Sequence, residues 1–70
     1  MEDGVYKIIE LVGTSTESWE KAANNAVNRA SKSLRDLRIA EVKSFDCKLD
    51  DQGKVSAYRV RMNISFKYEG

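Results

Sequence analysis

From Val55 to Tyr68 the chain alternates without interruption: Tyr58, Val60, Met62, Ile64, Phe66 and Tyr68 occupy one set of positions, and Ala57, Arg59, Arg61, Asn63, Ser65 and Lys67 the other. Strand side chains point to opposite faces with a period of two, so this pattern predicts a strand that covers a core on one side only. Its polar, largely basic side is left to water, a partner subunit or a ligand. Val5 to Val12 is a second strand-like run, rich in β-branched residues and apolar on both faces, with Lys7 interrupting one face and Glu10 the other. A strand of that kind calls for two coverings.

Gly13 is expected to end the first strand. Thr14 followed three residues later by Glu17 fits a capping box that opens a helix, with Ser15 and Thr16 as rival caps. Trp19, Ala22, Ala23, Ala26, Val27, Ala30, Leu34 and Leu37 then recur at steps of three and four and form one stripe. The centre of that stripe is almost all alanine. Small side chains permit close approach, which predicts a helix lying in the concave face of a curved sheet. Lys32 and Arg35 suit the negative end of the helix dipole.

Arg38 to Leu49 reads as a further strand with mixed alternation, whose faces the pattern leaves open. Asp50-Asp51-Gln52-Gly53 supplies a turn in which Gly53 can take positive φ, so a hairpin into the final strand follows. The expected fold is α+β, a single domain over residues 1–70 in the order β-α-β-β, with a three-stranded antiparallel sheet wrapped around one helix.

Composition narrows what such a fold can do. A chain of 70 residues buries only about 60% of the surface its unfolded form exposes, so its own core gives a modest stability margin. One cysteine, Cys47, excludes a disulfide within the chain, and the lack of histidine puts a structural zinc site out of reach of one subunit. Oligomerisation remains as the expected support. Twelve basic against eleven acidic residues give a net charge of +1, too little for the broad positive field of a dedicated nucleic-acid binder. The acidic opening and the absence of a long apolar run point to neither signal peptide nor membrane span, and thus to a cytoplasmic, reduced chain.

Little in the chain carries chemistry. There is no histidine base, no Gly-rich phosphate loop and no nucleophile–base arrangement, so a non-enzymatic role is expected. Cys47 reads either as a reactive thiol or as a small buried hydrophobe, the second favoured by Phe45 and Leu49 at same-face positions. Trp19 reads as a core-edge or subunit-contact residue rather than a ligand stack. Asp46, Asp50 and Asp51 are weak candidates for a divalent cation, without the spacing of a dedicated loop. Arg59, Arg61 and Lys67 either meet an anion or form a solvated face paired with Glu41 and other carboxylates across strands.

Tyr6-Lys7-Ile8-Ile9-Glu10-Leu11-Val12-Gly13-Thr14-Ser15, Glu17-Ser18 with the alanine-rich helix, Ala40-Glu41-Val42, and Tyr58-Arg59-Val60 leading to Phe66 together closely resemble the dodecins over nearly the whole chain. The resemblance implies a β-α-β-β subunit that assembles as a hollow, tetrahedrally symmetric shell of twelve identical copies, a homododecamer. That would give the first strand its second covering. It also implies a flavin pocket, in which a tryptophan of an Asp-Trp-Phe-Glu-Val-like segment stacks on the isoalloxazine ring and a glutamine of a Tyr-Gln-Val segment bonds its polar edge.

Here those segments read Arg38-Ile39-Ala40-Glu41-Val42 and Tyr58-Arg59-Val60, so the pocket positions are Ile39, Glu41 and Arg59. Ile39 offers no aromatic platform, and an aromatic stack is worth about 0.5–1.5 kcal/mol beyond its buried area. Arg59 only donates, where glutamine both donates and accepts, and around a two-fold axis it would juxtapose like charges unless Glu41 or an anion neutralised them. The sequence therefore predicts a small-ligand binding or storage protein without chemistry and with weak or absent flavin binding. Two alternatives are a shell that gathers calcium or another divalent cation through symmetry-related carboxylates, and a flavin binder with a modified pocket. Nucleic-acid and membrane partners are not expected.

Overall fold

In the computed structural model, residues 4–68 are described, and they form β1 (Tyr6–Ser15), α1 (Trp19–Ser33), β2 (Leu37–Leu49) and β3 (Val55–Lys67). The strands make one antiparallel sheet in the order β1-β3-β2. The strictly alternating strand takes the centre, where both of its edges are paired. Its inner row carries the core: Val60, Met62 and Ile64 are buried against Ala22, Ala26 and Ala30 of α1. Tyr58 and Phe66 of the same row are half-buried, and Tyr68 lies just past the strand, its N–H donating to the Val5 carbonyl at 2.9 Å.

Gly13 does not end β1. The strand continues to Ser15, and Gly13 marks the place where the helix backbone comes closest to it. A Cβ built there would collide with the carbonyl oxygen of Ala22 and sit 3.0 Å from the Ala26 methyl. Alanine on the helix and glycine on the strand thus solve one packing problem together.

The capping box at Thr14 and Glu17 does not form, because Thr14 is still in the strand and its carbonyl accepts from the Asn25 side chain at 2.9 Å. Ser15 Oγ instead accepts from the N–H groups of Glu17 (3.0 Å) and Ser18 (3.4 Å), and this turns the chain. Ser18, in extended conformation, is the cap, its Oγ accepting from the Lys21 N–H at 3.0 Å. A Glu17–Lys21 ion pair at 2.9 Å spans the first turn.

The helix stops at Ser33, earlier than the apolar stripe suggests. Leu34 is already extended while its N–H still donates to the Ala30 carbonyl at 2.9 Å, so Arg35 lies outside the helix and Leu37 belongs to β2. Asp36 turns the chain with a left-handed φ of 56°, and its carbonyl accepts from the Lys67 N–H at 3.2 Å. Aspartate is among the residues that tolerate this region.

β2 explains its own mixed alternation. Register shifts fall between Leu37 and Ile39, between Val42 and Ser44, and between Lys48 and Leu49. The extra residue at Lys43 moves Phe45 and Cys47 onto the same face as Ala40 and Val42, toward the helix side. Ile39, Glu41, Ser44 and Asp46 consequently share the outer face, following the pairings with Ser65, Asn63, Arg61 and Arg59. The hairpin closes on Gly53 at φ 77°, with Asp50 Oδ1 accepting from the N–H groups of Gln52 (2.8 Å) and Lys54 (2.9 Å).

The helix packs chiefly on β1 and β3 and only marginally on β2, so the far half of the β2–β3 hairpin projects beyond it and the chain measures 51 × 20 × 18 Å. Among the described residues no helix is long and apolar enough to cross a membrane.

Candidate binding face of the sheet

The sheet face turned away from α1 is assembled in rows that the strand registers define. Ile8, Ser65 and Ile39 form one row; Glu10, Asn63 and Glu41 the next; then Val12, Arg61 and Ser44; and finally Thr14, Arg59 and Asp46. Apolar residues on this face are largely open in one chain, with Ile8 63% and Ile39 67% exposed. They sit outward because β1 must present alternate residues to both sides, and its helix covers only one.

Two shallow depressions lie here and share Ile39 and Ser65. One, of about 210 Å³, is lined by Ile8, Ile39, Glu41, Asn63 and Ser65; the other, of about 490 Å³, by Tyr6, Arg38, Ile39 and Ser65. The structure thus brings Ile39 and Glu41 together in one groove. Glu41 stands opposite Asn63 and has no ion pair among the described residues. Arg59 is not part of this groove. It stands four positions before Asn63 along β3, roughly 13 Å of strand.

Arg59 is engaged by a carboxylate across the strands, as expected of a paired face, and the carboxylate is Asp46. The two are direct cross-strand neighbours, Nε donating to Oδ1 at 2.7 Å and a terminal nitrogen to Oδ2 at 3.0 Å. This is the two-point geometry in which guanidinium and carboxylate fit best. The Arg59 hydrogen bonds hold the Asp46 carboxyl below the usual carboxylate value despite an opposing effect of partial burial, with the charges of Arg59 and Arg61 adding to it. The same bonds push the Arg59 guanidinium up.

From the opposite side of the sheet, the Trp19 indole N–H donates to the Asp46 carbonyl at 3.1 Å, while its ring meets Phe45 and Tyr58 edge-on at 5.8 and 5.0 Å. Trp19 is therefore a half-exposed packing residue at the end of the core, 39% open. Cys47 is half-buried on that inner side beside Tyr58 rather than fully enclosed.

Of the carboxylates considered for a cation, Asp46 is occupied by Arg59 and Asp50 by the turn it closes, while Asp51 is exposed at the hairpin tip. Among the described residues no three Asp, Glu or Cys side chains come together as a metal site. The Asp46–Arg59 pair is not legible in the sequence because it depends on the irregularities of the β2–β3 pairing. Counting back from the Gly53 turn reaches it only if the extra residue on β3, Ser56 between Val55 and Ala57, is known.

The sequence model of the Dodecin family matches residues 5–69. Over 63 residues, 90% of this chain and 87% of the relative, the chain is 48% identical to calcium dodecin of Mycobacterium tuberculosis. It is 43% identical over 65 residues to dodecin of Thermus thermophilus, covering 93% of each. Among solved structures it is similar to dodecin from Streptomyces coelicolor, with a TM-score of 0.91, 36% identity and coverage of 100% of this chain and 99% of that one. It is also similar to the calcium-chelating antigen calcium dodecin of M. tuberculosis, described with a novel calcium-binding site, at a TM-score of 0.84 and 45% identity, covering 94% and 93%. With the β-α-β-β order, the β1-β3-β2 sheet around one helix and this match along nearly its whole length, the chain belongs to the dodecin family.

Proposed function

We propose that this protein is a non-catalytic dodecin that assembles from twelve copies of itself and holds small ligands between them, with flavin bound weakly or not at all. The observation that carries this reading is the outer groove itself. Its walls are Ile8, Ile39, Glu41, Asn63 and Ser65, with an aliphatic residue where the family places its stacking tryptophan. Its depressions of about 210 and 490 Å³, which share Ile39 and Ser65, lie open on the sheet surface, as half a site that a second copy would close. Arg59, at the family's glutamine position, is held by Asp46 and offers no acceptor.

Titration of riboflavin against the assembled protein, read by quenching of flavin fluorescence, tests the reading. Little quenching at micromolar protein is expected; tight, stoichiometric quenching would overturn it and establish a flavin binder with a modified pocket. Ile39→Trp combined with Arg59→Gln should restore binding if these two positions are the cause.

A second reading is a shell that binds calcium or another divalent cation. It is supported by the 48% identity to a relative named calcium dodecin. Because one chain gathers no three metal-ligating side chains among its described residues, such a site would need carboxylates from several copies, which symmetry supplies from one residue per chain. Isothermal titration of the intact assembly with calcium separates this from the first reading, and no saturable heat up to millimolar calcium would dispose of it.

A further inference from the structure

We propose that Asp46 determines the charge selectivity of the outer face, by holding Arg59 in a two-point clamp that keeps its guanidinium from anionic ligands. The inference deepens the small-ligand reading and rests on it for its functional meaning, but the clamp can be tested without any organic ligand.

Three observations carry it. The two bonds, 2.7 and 3.0 Å, use the Nε edge of the guanidinium and both carboxylate oxygens, the same fork that would otherwise receive a phosphate or carboxylate from solution. The partners are direct cross-strand neighbours in the register, so the clamp is built into the sheet and does not rely on a long side chain reaching across it. And the backbone of Asp46 is held from the other side by the Trp19 indole, which bonds its carbonyl at 3.1 Å and wedges between Phe45 and Tyr58.

In the single chain both side chains are nearly half exposed, so solutes can compete for the guanidinium there. The other cation of this stretch, Arg61, stands one row nearer to Glu10 and Glu41 and is available as a comparison.

Isothermal titration of the intact assembly with inorganic phosphate at low ionic strength tests the proposal. Asp46→Asn keeps the shape of the side chain and removes its charge; it should bind phosphate at least about threefold more tightly than the parent, the scale on which exposed pairs act. Asp46→Glu, which keeps the carboxylate, should stay near the parent. Adding Arg59→Gln to Asp46→Asn should abolish the gain, whereas adding Arg61→Gln should leave most of it. Asp46→Ala gives the same comparison if the asparagine variant folds poorly. The proposal is overturned if neither uncharged variant binds phosphate more tightly, or if the gain survives loss of Arg59. Tight riboflavin quenching would overturn the weak-flavin reading and leave this result interpretable, since phosphate needs no groove.

Discussion

At the scale of single residues, Gly13 and Ala22 show how tightly helix and strand are joined. The atom a side chain at Gly13 would meet is a backbone carbonyl, which cannot swing aside, so the helix itself would have to move. Gly13→Ala should therefore destabilise by at least about 2 kcal/mol, at the upper part of the overpacking range, measured by urea unfolding at fixed protein concentration. A neutral effect would mean that the helix is not seated as described. Asp46 gives a pH prediction. Its carboxyl is held below the ordinary value of 3.8, so its contribution to stability is present above that value and is lost only as pH falls through the lower, folded-state one. Arg59 keeps its charge throughout. The stability difference between the parent and Asp46→Asn should thus persist unchanged from pH 7 to pH 5 and close below the ordinary carboxylate range; closure already at pH 5 would contradict the pair. High salt should narrow the difference, since both groups are half exposed.

At the scale of elements, the start of α1 is decided by three-dimensional context. Three hydroxyl residues and a glutamate offered several caps, and the extension of β1 through Gly13 carried Thr14 and Ser15 into the sheet, leaving Ser18 as the residue whose oxygen reaches an unpaired N–H. Ser18→Ala should cost about 1 kcal/mol and Ser18→Asp almost nothing, while Thr14→Ala should have a much smaller effect than Ser18→Ala. Thermal unfolding of the three variants checks this, and an equal loss at Thr14 would restore the capping box. β2 teaches the same lesson for strands. One extra residue at Lys43 exchanges the faces of everything beyond it, which is why Phe45 and Cys47 turn inward and Asp46 outward to Arg59.

At the scale of the whole molecule, the apolar surface that one chain leaves open supports the proposed assembly. Among the described residues only Ala22, Ala26, Ala30, Val60, Met62 and Ile64 form its buried hydrophobic core, while Ile8, Val12, Ile39, Phe45 and Leu49 are all more than 45% exposed. Its length of 51 Å against 18–20 Å in the other directions leaves the hairpin end without a helix beneath it. Exposed apolar residues on both faces of the sheet are what subunit contacts would cover. Light scattering should report about twelve times the mass of one chain, and a mass near that of a single chain would refute the assembly. Ile8→Lys sharpens the test: on a solvated face it would be nearly neutral, whereas on a covered face it should lower the mass or block assembly.

The order of elements, the one-sided central strand and the alanine stripe were legible in the sequence alone, because each depends on a local period that a short stretch of chain displays by itself. So were the residue identities at Ile39 and Arg59 on which the proposal of weak flavin binding rests. What only the tertiary structure decided is how neighbouring strands meet. Registers, bulges and the close approach of Ala22 to Gly13 are set by contacts between segments far apart in the chain. Those contacts placed Ile39 with Glu41 in a groove and gave Arg59 to Asp46 instead of Glu41.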